Sequence, residues 1–282
     1  KERYKIDLNH FIAKDNFLTY DTPTTAASHI LENFHAPYQA TAINKLEAAG
    51  AIMIAKANLD AFAHGSSTEN SAFGPTKNPK DIERVPGGSS GGSGAAVALN
   101  IVPFALGTDT GGSIRLPASF CGVVGLKPTY GLVSRYGVVA MASSTDVIGP
   151  LTRTVADAAV VLETMSGRDQ FDGTTIERDE TPYTELSASV KGKKIGIIKE
   201  FFSEGLDSGV RHSVEATIAK LRQAGADVTE VSLPSIDLAL ACYYIIVPAE
   251  VSSNLSRYDG QRYGLSAQDA KNLSSSYELA RE

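Results

Sequence analysis

Two clusters of glycine and hydroxyl residues, separated by apolar chain, constrain the fold more than any other feature of the sequence. The first cluster, 87–94, reads GGSSGGSG, and the second, 108–113, reads TDTGGS. Between them, the small-residue run 95–99 predicts a tightly packed helix and the apolar run 101–106 predicts a buried strand. Because glycine is costly to order, the clusters indicate backbone that approaches a ligand closely, as in an oxyanion hole or an anion cradle.

The stretch around both clusters resembles the signature of the amidase signature family, in GGSSGGSGAAVA and LGTDTGGSIRLPASFCGVVGLKPTYG. Members of that family are serine hydrolases that use a Ser–Ser–Lys triad and no histidine. The resemblance implies that Ser113 is the nucleophile, that Lys14 is the base, and that Ser89 relays protons between them. It also implies a cis peptide between Gly88 and Ser89. The sequence intervals between the three residues agree with those of the family.

Amide hydrolysis needs donors for the developing oxyanion as well as a nucleophile and a base. Backbone N–H groups of Thr110, Gly111, Gly112 and Ser113 can converge on an oxyanion, because two glycines leave the approach open. A lysine normally has a pKa of about 10.4, so Lys14 must be desolvated and neutral to accept a proton.

Further residues are candidates for supporting parts. Lys56 also ends an apolar strand and is the second candidate for the base, behind Lys14 because it matches a different block of the family. Asp109 lies near the start of the second cluster and Arg115 follows it, and both are interpreted as supports of the loop. The segment 243–263 resembles the amidotransferase branch of the family, in which a tyrosine approaches bound glutamine, and the register favours Tyr244 over Tyr243.

The order of the remaining elements favours an α/β fold. A helix that opens near Pro37 and ends at Gly50 precedes a short apolar strand, 51–55, which we expect to be buried. A strand, helix and strand over 194–233 predict a parallel βαβ unit. The resemblance implies an amidase signature fold, with a central mixed β-sheet flanked by helices on both faces. We expect a single amidase domain over 8–282, truncated at the N-terminus and incomplete at the C-terminus.

Composition narrows the possible partners. The chain of 282 residues has a formal net charge of −6 and contains two cysteines without a CxxC pair. It therefore lacks a basic footprint for nucleic acid, and a disulfide framework or zinc site is not expected. No apolar run near 18 residues is evident, so we expect no membrane span.

Within the family, the amidotransferase branch implies a subunit that hydrolyses glutamine and passes ammonia to a B subunit, in a complex that also contains a small C subunit. The B subunit would use ATP and Mg²⁺ and would bind the tRNA, so this chain itself would need no cofactor or metal. The location implied is the cytoplasm, or an organellar matrix in a eukaryote. Residues that read the amino and carboxylate groups of glutamine would come from sequence after residue 282.

Other functions remain open. A stand-alone amidase of the same family, acting on another small amide, is the main alternative, and a catalytically incomplete scaffold is another. GSSGG at 88–92 fits the GxSxG pattern of α/β-hydrolases, with Ser90 as nucleophile, but the preceding IERVP at 82–86 is a poor strand. A phosphate-binding loop is disfavoured because no GxxxxGK[ST] motif occurs.

Overall fold

The computed structural model describes residues 10–178, 181–187 and 189–281, with Arg281 described by its backbone only. The chain divides into two compact units. One unit combines Lys1–Thr184 with Val247–Glu282, and the other comprises Glu185–Ile246. The single domain expected over 8–282 remains a prediction, and the family's usual entry to the first strand falls outside the described residues.

A five-stranded mixed sheet organises the larger unit, with strand order β2-β1-β3-β5-β4. Strand β1 pairs in parallel with β2 and β3, whereas β5 pairs antiparallel with β3 and β4. The interior position of β1, between β2 and β3, matters for the site because this strand ends at Lys14. The strands are β1 (His10–Lys14), β2 (Ile52–Ala57), β3 (Phe104–Asp109), β4 (Val124–Gly125) and β5 (Val147–Thr152).

Helices pack on both faces of this sheet, because successive side chains along a strand point to opposite faces. In β1, Phe11 and Ala13 belong to one buried cluster, and Ile12 belongs to a second. Helices α1 and α4 contribute to the first cluster, and α2 and α3 to the second. The predicted α/β fold with a mixed sheet between helical layers is confirmed. The helices are α1 (Thr41–Ala48), α2 (Gly91–Ala98), α3 (Arg115–Cys121) and α4 (Val155–Met165).

The elements between the glycine clusters are present but are displaced from their predicted ranges. The helix predicted at 95–99 begins earlier, within the first cluster, and the strand predicted at 101–106 runs from Phe104 to Asp109. Residues 101–103 of the apolar run lie outside the strand. Pro103 has no N–H to donate to a neighbouring strand, and pairing begins at the next residue, Phe104. The strand continues through Thr108 and Asp109 because both residues pair with β5, which hydrophobicity alone could not indicate.

Strand β2 is not the buried strand that was predicted. It is an edge strand of the described sheet, and Ile52 and Ile54 are 62% and 52% exposed. An apolar run signals a strand but does not show whether a neighbour covers it. The helix before β2 is also shorter than predicted, starting at Thr41, while Gly50 has a φ of +100° just beyond its end.

The smaller unit contains the predicted parallel βαβ arrangement. Strand β6 (Lys194–Ile198) pairs in parallel with β7 (Asp227–Val231), and α5 (Ser208–Gln223) connects them. Two further helices complete the described chain, α6 (Ala239–Leu255) and α7 (Leu273–Arg281). Short 3-10 helices lie at His29–Leu31, Ala61–Ala63, Lys199–Phe201 and Pro234–Leu238.

One helical stretch in the described residues is long and apolar enough to cross a membrane. It covers Pro234–Leu255 and has a mean hydropathy of 1.4. The expectation of no such segment therefore fails on length and composition. A single stretch of this kind is a weak indication, because helices of soluble proteins pass the same test.

Candidate active site

The first glycine cluster is closely packed, and this packing explains its composition. A Cβ atom on Gly88 would lie 2.2 Å from Oδ2 of Asp60 and 2.7 Å from the backbone nitrogen of Ser67. A Cβ atom on Gly92 would lie 2.5 Å from the backbone oxygen of Asn58. The peptide between Gly88 and Ser89 is cis, as the family resemblance implied. The chain can therefore pass the loop after β2 only with glycine at these positions.

Lys14 lies at the end of β1 and is completely buried. Its Nζ donates to Oγ of Ser89 at 2.7 Å and to Oγ1 of Thr108 at 2.9 Å. Thr108 also accepts a hydrogen bond from Nδ2 of Asn16, at 3.1 Å. The lysine amine is thus held between one residue of each glycine cluster.

Burial changes the protonation of Lys14. Desolvation lowers the pKa of its amine from 10.5 to about 7, and the negative charges of Asp60, Asp109 and Asp146 oppose this shift. A buried ammonium loses most of its hydration, and the three carboxylates replace only part of it. A substantial fraction of Lys14 is consequently neutral near neutral pH, which is the state that a proton acceptor requires.

The second glycine cluster is folded around the carboxylate of Asp109. Its Oδ1 accepts from the N–H of Gly112 at 2.8 Å, and Oδ2 accepts from the N–H of Ile114 at 3.1 Å. Arg115 forms a two-pronged ion pair with the same carboxylate, at 3.0 and 3.1 Å. Although burial works in the opposite direction, these hydrogen bonds and the guanidinium leave the Asp109 pKa below its usual value.

This arrangement limits which backbone donors are available to an oxyanion. The N–H of Gly112, one of the predicted donors, is occupied by Asp109. Within the described residues, the N–H groups of Thr110, Gly111 and Ser113 form no hydrogen bond. The structure therefore leaves three of the four predicted donors unoccupied on this loop.

Ser113 lies next to the first cluster and is slightly accessible, with 8% of its surface exposed. Its backbone oxygen accepts from the N–H of Ser90 at 3.1 Å, which holds the two clusters together. Its Oγ forms no hydrogen bond within the described part of the chain. The link from Lys14 to Ser89 is therefore formed in this structure, and the link from Ser89 to Ser113 is open, as is common in sites without substrate.

Sequence analysis missed a second buried carboxylate at the site, Asp146. Its Oδ1 accepts from the hydroxyl of Thr110 at 2.6 Å, and its carboxylate also accepts from the N–H groups of Met141 and Ala142. Burial raises the pKa of Asp146, whereas these hydrogen bonds oppose the increase. Asp146 therefore ties Thr110, inside the second cluster, to the chain before β5.

Lys56, the second candidate base, has a different environment. Its Nζ forms an ion pair with Oδ1 of Asp15 at 2.8 Å and donates to the backbone oxygen of Phe17 at 2.8 Å and to Oγ1 of Thr24 at 3.2 Å. Neither Ser89 nor Ser113 is among its hydrogen-bond partners in the described residues. Lys56 thus fixes the turn after Lys14.

Tyr244 lies on α6, in the unit formed by Glu185–Ile246. Its side chain is 65% exposed and meets the ring of Tyr243 edge to face, with 5.4 Å between the ring centroids. Its contact with glutamine remains a prediction.

Lys14, Ser89 and Ser113 come from distant parts of the sequence and together form a recognisable chemical arrangement. A buried amine with a lowered pKa contacts one serine hydroxyl, and a second, accessible serine lies on a loop with unoccupied N–H donors. This combination is suited to acyl transfer from an amide or ester, because it offers a proton acceptor, a hydroxyl nucleophile and oxyanion donors.

The chain belongs to the Amidase family, whose model matches residues 11–282. Among curated proteins, the A subunit of glutamyl-tRNA(Gln) amidotransferase from Koribacter versatilis is 56% identical over 270 residues, covering 95% of this chain and 56% of the relative. The protein of the same name from Acidobacterium capsulatum is 53% identical over 285 residues, covering 100% of this chain and 60% of the relative. The chain thus spans a little more than half the length of these relatives.

Solved structures support the same fold. The A subunit of glutamyl-tRNA(Gln) amidotransferase from Thermotoga maritima matches with a TM-score of 0.85 and 51% identity, over 91% of this chain and 56% of that one. The native peptide amidase from Stenotrophomonas maltophilia matches with a TM-score of 0.81 and 36% identity, over 92% of this chain and 55% of that one. The amidase signature fold expected from the sequence is therefore confirmed.

Proposed function

We propose that Lys14, Ser89 and Ser113 form the catalytic triad of an amide hydrolase. The observation that carries the proposal is the fully buried Lys14 amine, with a pKa lowered to about 7, at 2.7 Å from Ser89 Oγ. A lysine on the protein surface would remain protonated and could not accept a proton. Burial of Lys14 disfavours the ammonium form, and the resulting neutral amine can accept a proton.

In the proposed reaction, Ser113 Oγ attacks the carbonyl carbon of the amide. Its proton passes to Ser89 Oγ as the proton of Ser89 passes to the neutral amine of Lys14. The oxyanion of the tetrahedral intermediate accepts hydrogen bonds from the N–H groups left unoccupied on the Thr110–Ser113 loop, and losing one such donor typically costs about 100-fold or more in rate.

The same residues complete the cycle in reverse order. Lys14 returns its proton through Ser89 to the leaving nitrogen, the carbon–nitrogen bond breaks, and ammonia leaves an ester on Ser113. Water then attacks this ester, losing one proton through Ser89 to Lys14, and the acid is released as Ser113 Oγ recovers a proton. The proton balance closes without a metal or an organic cofactor in this chain.

For the substrate we propose glutamine, which would yield glutamate and ammonia. Support comes from the curated relatives above 50% identity, whose name is that of the A subunit of glutamyl-tRNA(Gln) amidotransferase. In that role the ammonia passes to a B subunit, which would use ATP and Mg²⁺ and bind the tRNA, with a small C subunit in the complex. The net charge of −6 is consistent with a subunit that leaves tRNA binding to its partner.

The second candidate is a stand-alone amidase that acts on another small amide. The similarity to a peptide amidase, at 36% identity and a TM-score of 0.81, favours this alternative because a protein with this fold carries the name of an amidase and not of an amidotransferase subunit. A B subunit that copurifies with the protein would distinguish the glutamine-dependent subunit from a stand-alone enzyme.

Covalent labelling tests the triad directly. A serine-directed sulfonyl fluoride, followed by peptide mass spectrometry, should place one adduct on Ser113 in the wild-type chain. The adduct should be absent in Ser113→Ala and strongly reduced in Lys14→Ala. Lys56→Ala is the matched control, because Lys56 also lies near the end of a strand of this sheet but pairs with Asp15 and contacts neither serine, so labelling should remain in place.

Two outcomes would contradict this assignment. Labelling of Ser90 would indicate the GxSxG nucleophile instead, and equal labelling of wild type and Lys14→Ala would show that Lys14 does not activate the serine. Release of ammonia from glutamine, compared with asparagine and with small primary amides, then tests the substrate separately from the triad.

A further inference from the structure

A cavity in the larger unit has no role in the proposed hydrolysis. Its volume is about 440 Å³, and it lies between the chain after β1, the segment before α1, the segment 138–140, and the chain that follows α6. None of Lys14, Ser89 and Ser113 lines it. Its volume falls in the usual range of small-molecule sites, which begins at roughly 300 Å³.

The polar groups that line this cavity are hydrogen-bond donors. Arg257 and Arg262 contribute guanidinium groups, and Tyr38, Tyr258 and Tyr263 contribute phenols. No aspartate or glutamate is among the lining residues, although the chain as a whole carries a net charge of −6. A donor-rich cavity without carboxylates is complementary to an anion.

The two arginines are not consumed by internal ion pairs in the described chain. Arg257 donates one hydrogen bond, from Nη2 to Oδ1 of Asn254 at 2.9 Å. For Arg262, the described residues provide no hydrogen-bond acceptor and no ion-pair partner. Nine of the ten N–H donors of two guanidinium groups therefore remain for water or a ligand, since each guanidinium carries about five.

Tyr258 adds a further donor to the cavity. The residue is largely buried, with 9% of its surface exposed, whereas its hydroxyl has no hydrogen-bond partner among the described residues and is not one of their fully buried unpaired polar atoms. Burial, and secondarily Tyr263, raise the pKa of Tyr258 to about 12. The phenol therefore stays protonated and is a donor throughout the physiological range. A phenol that has no partner in the protein and remains accessible is free to donate to a ligand in the cavity.

The aromatic rings form a fixed frame around these donors. The ring centroid of Tyr258 lies 4.8 Å from that of Phe62 and 5.6 Å from that of Tyr263, and Tyr263 lies 5.6 Å from Phe34.

The three tyrosines that line the cavity stay protonated. Burial raises the pKa of Tyr38, Tyr258 and Tyr263, and Tyr38 adds to this increase at the other two. Asp259, which acts on Tyr263 in the same direction, does not line the cavity.

We propose that this cavity binds a nucleoside phosphate. The phosphate would accept hydrogen bonds from Arg257, Arg262 and the Tyr258 hydroxyl, because guanidinium groups match phosphate oxygens in pairs. The planar base would lie against the aromatic frame, since aromatic side chains stack on any base. The ligand is either a free mononucleotide or the terminal nucleotide of an RNA strand, because the cavity has room for about one nucleotide.

Equilibrium titration of the whole chain with adenosine 5′-monophosphate tests the site. We expect saturable binding that weakens with added salt, and an affinity at least about tenfold lower in the double variant Arg257→Ala/Arg262→Ala. Tyr258→Phe should weaken binding severalfold while keeping the aromatic frame. Arg168→Ala is the matched control, because Arg168 is an exposed arginine of the same unit that pairs with Glu177 and should leave the affinity unchanged.

Two further probes separate the contributions. Adenosine and inorganic phosphate should each bind more weakly than the mononucleotide, since each engages only one part of the site. The proposal is overturned if the mononucleotide does not bind at millimolar concentration, if the double variant binds as tightly as the control, or if inorganic phosphate binds as tightly as the nucleotide. A circular dichroism spectrum of each variant establishes that it is folded.

A competition experiment identifies the source of the nucleotide. If a short single-stranded RNA with a free terminal phosphate displaces the mononucleotide at lower concentration, the site takes the end of an RNA strand. If the mononucleotide binds and the RNA does not displace it, the site takes a free nucleotide. Both results support the site and differ only in its natural occupant.

Discussion

The Nζ of Lys14 lies 2.7 Å from the Oγ of Ser89, although 75 residues separate them in the sequence. The lysine is carried by strand β1, which lies between β2 and β3, and the serine by the glycine-rich chain just before α2. Both groups are completely buried. The contact therefore links the protonation state of the amine to the packing of the first glycine cluster.

Removal of the Lys14 amine should stabilise the fold at neutral pH. The pKa of this lysine is about 7 in the folded chain and 10.5 in its model state, so the unfolded chain binds more protons between these values. The free energy of unfolding of the wild type must then rise with pH from about 7 to about 10, and below pH 7 the cost of burying the lysine is fully present. That cost is of the order of 4 kcal/mol at pH 7.

Urea unfolding of wild type and Lys14→Met at several pH values measures this effect. We expect Lys14→Met to gain most over the wild type at pH 7 or below, and to lose this gain as the pH approaches 10. Lys56→Met is the comparison. Burial lowers the pKa of Lys56 as well, but its ion pair with Asp15 opposes this decrease, so the gain in stability should depend less on pH. A difference in stability that does not change with pH would show that Lys14 is not buried in its neutral form.

Labelling of Ser113 should increase with pH through a midpoint near 7, because only neutral Lys14 can accept the proton. Three carboxylates raise the pKa of this lysine, those of Asp60, Asp109 and Asp146. Asp146→Asn removes one negative charge and should move the midpoint to lower pH, by about 1 unit at most. The measurement is the rate of sulfonyl fluoride labelling between pH 5 and 9.

Asp81→Asn is the control for this shift, because Asp81 forms an exposed ion pair with Arg84. It should leave the midpoint unchanged. If Asp146→Asn lowers the labelling rate equally at every pH, Asp146 would act only by holding Thr110, and its charge would not reach Lys14.

Thr108 is expected to act as a positioning residue for the base. Its hydroxyl accepts hydrogen bonds from Lys14 at 2.9 Å and from Asn16 at 3.1 Å. Thr108→Val keeps the shape but removes the acceptor, so the amine should become misaligned and the labelling rate should fall by about 10- to 100-fold. Thr108→Ser should restore most of the rate. A serine variant as slow as valine would indicate that packing in β3, and not the hydroxyl, is what matters.

Gly88→Ala should destabilise the chain severely. The new methyl group would overlap Oδ2 of Asp60 at 2.2 Å and the backbone of Ser67 at 2.7 Å, and backbone cannot move aside cheaply. We expect a loss of about 3 kcal/mol or more in the free energy of unfolding. Gly173→Ala is the matched control, because nothing lies within 4 Å of a Cβ at that position. Equal stability of the two variants would contradict the close packing of the first cluster.

The sequence was informative where a chemical role follows from residue type. Lys14, Ser89 and Ser113 could be selected because their order and spacing resemble a known signature, and the structure places Lys14 against Ser89. The supporting carboxylate of Asp109 was also recognisable from its position in the second cluster. Residue types and intervals carry this information without knowledge of the fold.

The other contacts of the site depend on which strands are neighbours and how they are aligned, and a single sequence does not show this. Thr108 and Asn16 meet at Lys14 only because β1 and β3 are neighbours in the sheet, and Asp146 reaches Thr110 only because β5 runs antiparallel to β3. The occupied N–H of Gly112 follows from the path of the loop around Asp109. Exposure of β2 likewise depends on which strands lie beside it, and hydrophobicity gave no sign of this.

The location of Lys14 at the end of a strand with neighbours on both sides has a consequence for motion. Strand β1 is hydrogen-bonded to β2 on one edge and to β3 on the other, so the strand that carries the lysine cannot move away without opening two ladders at once. Local opening of this kind requires nearly the free energy of global unfolding. The backbone that carries the proposed base is therefore a fixed part of the scaffold, and we expect an adjustment that admits a substrate to come from side chains or from the Ser113 loop.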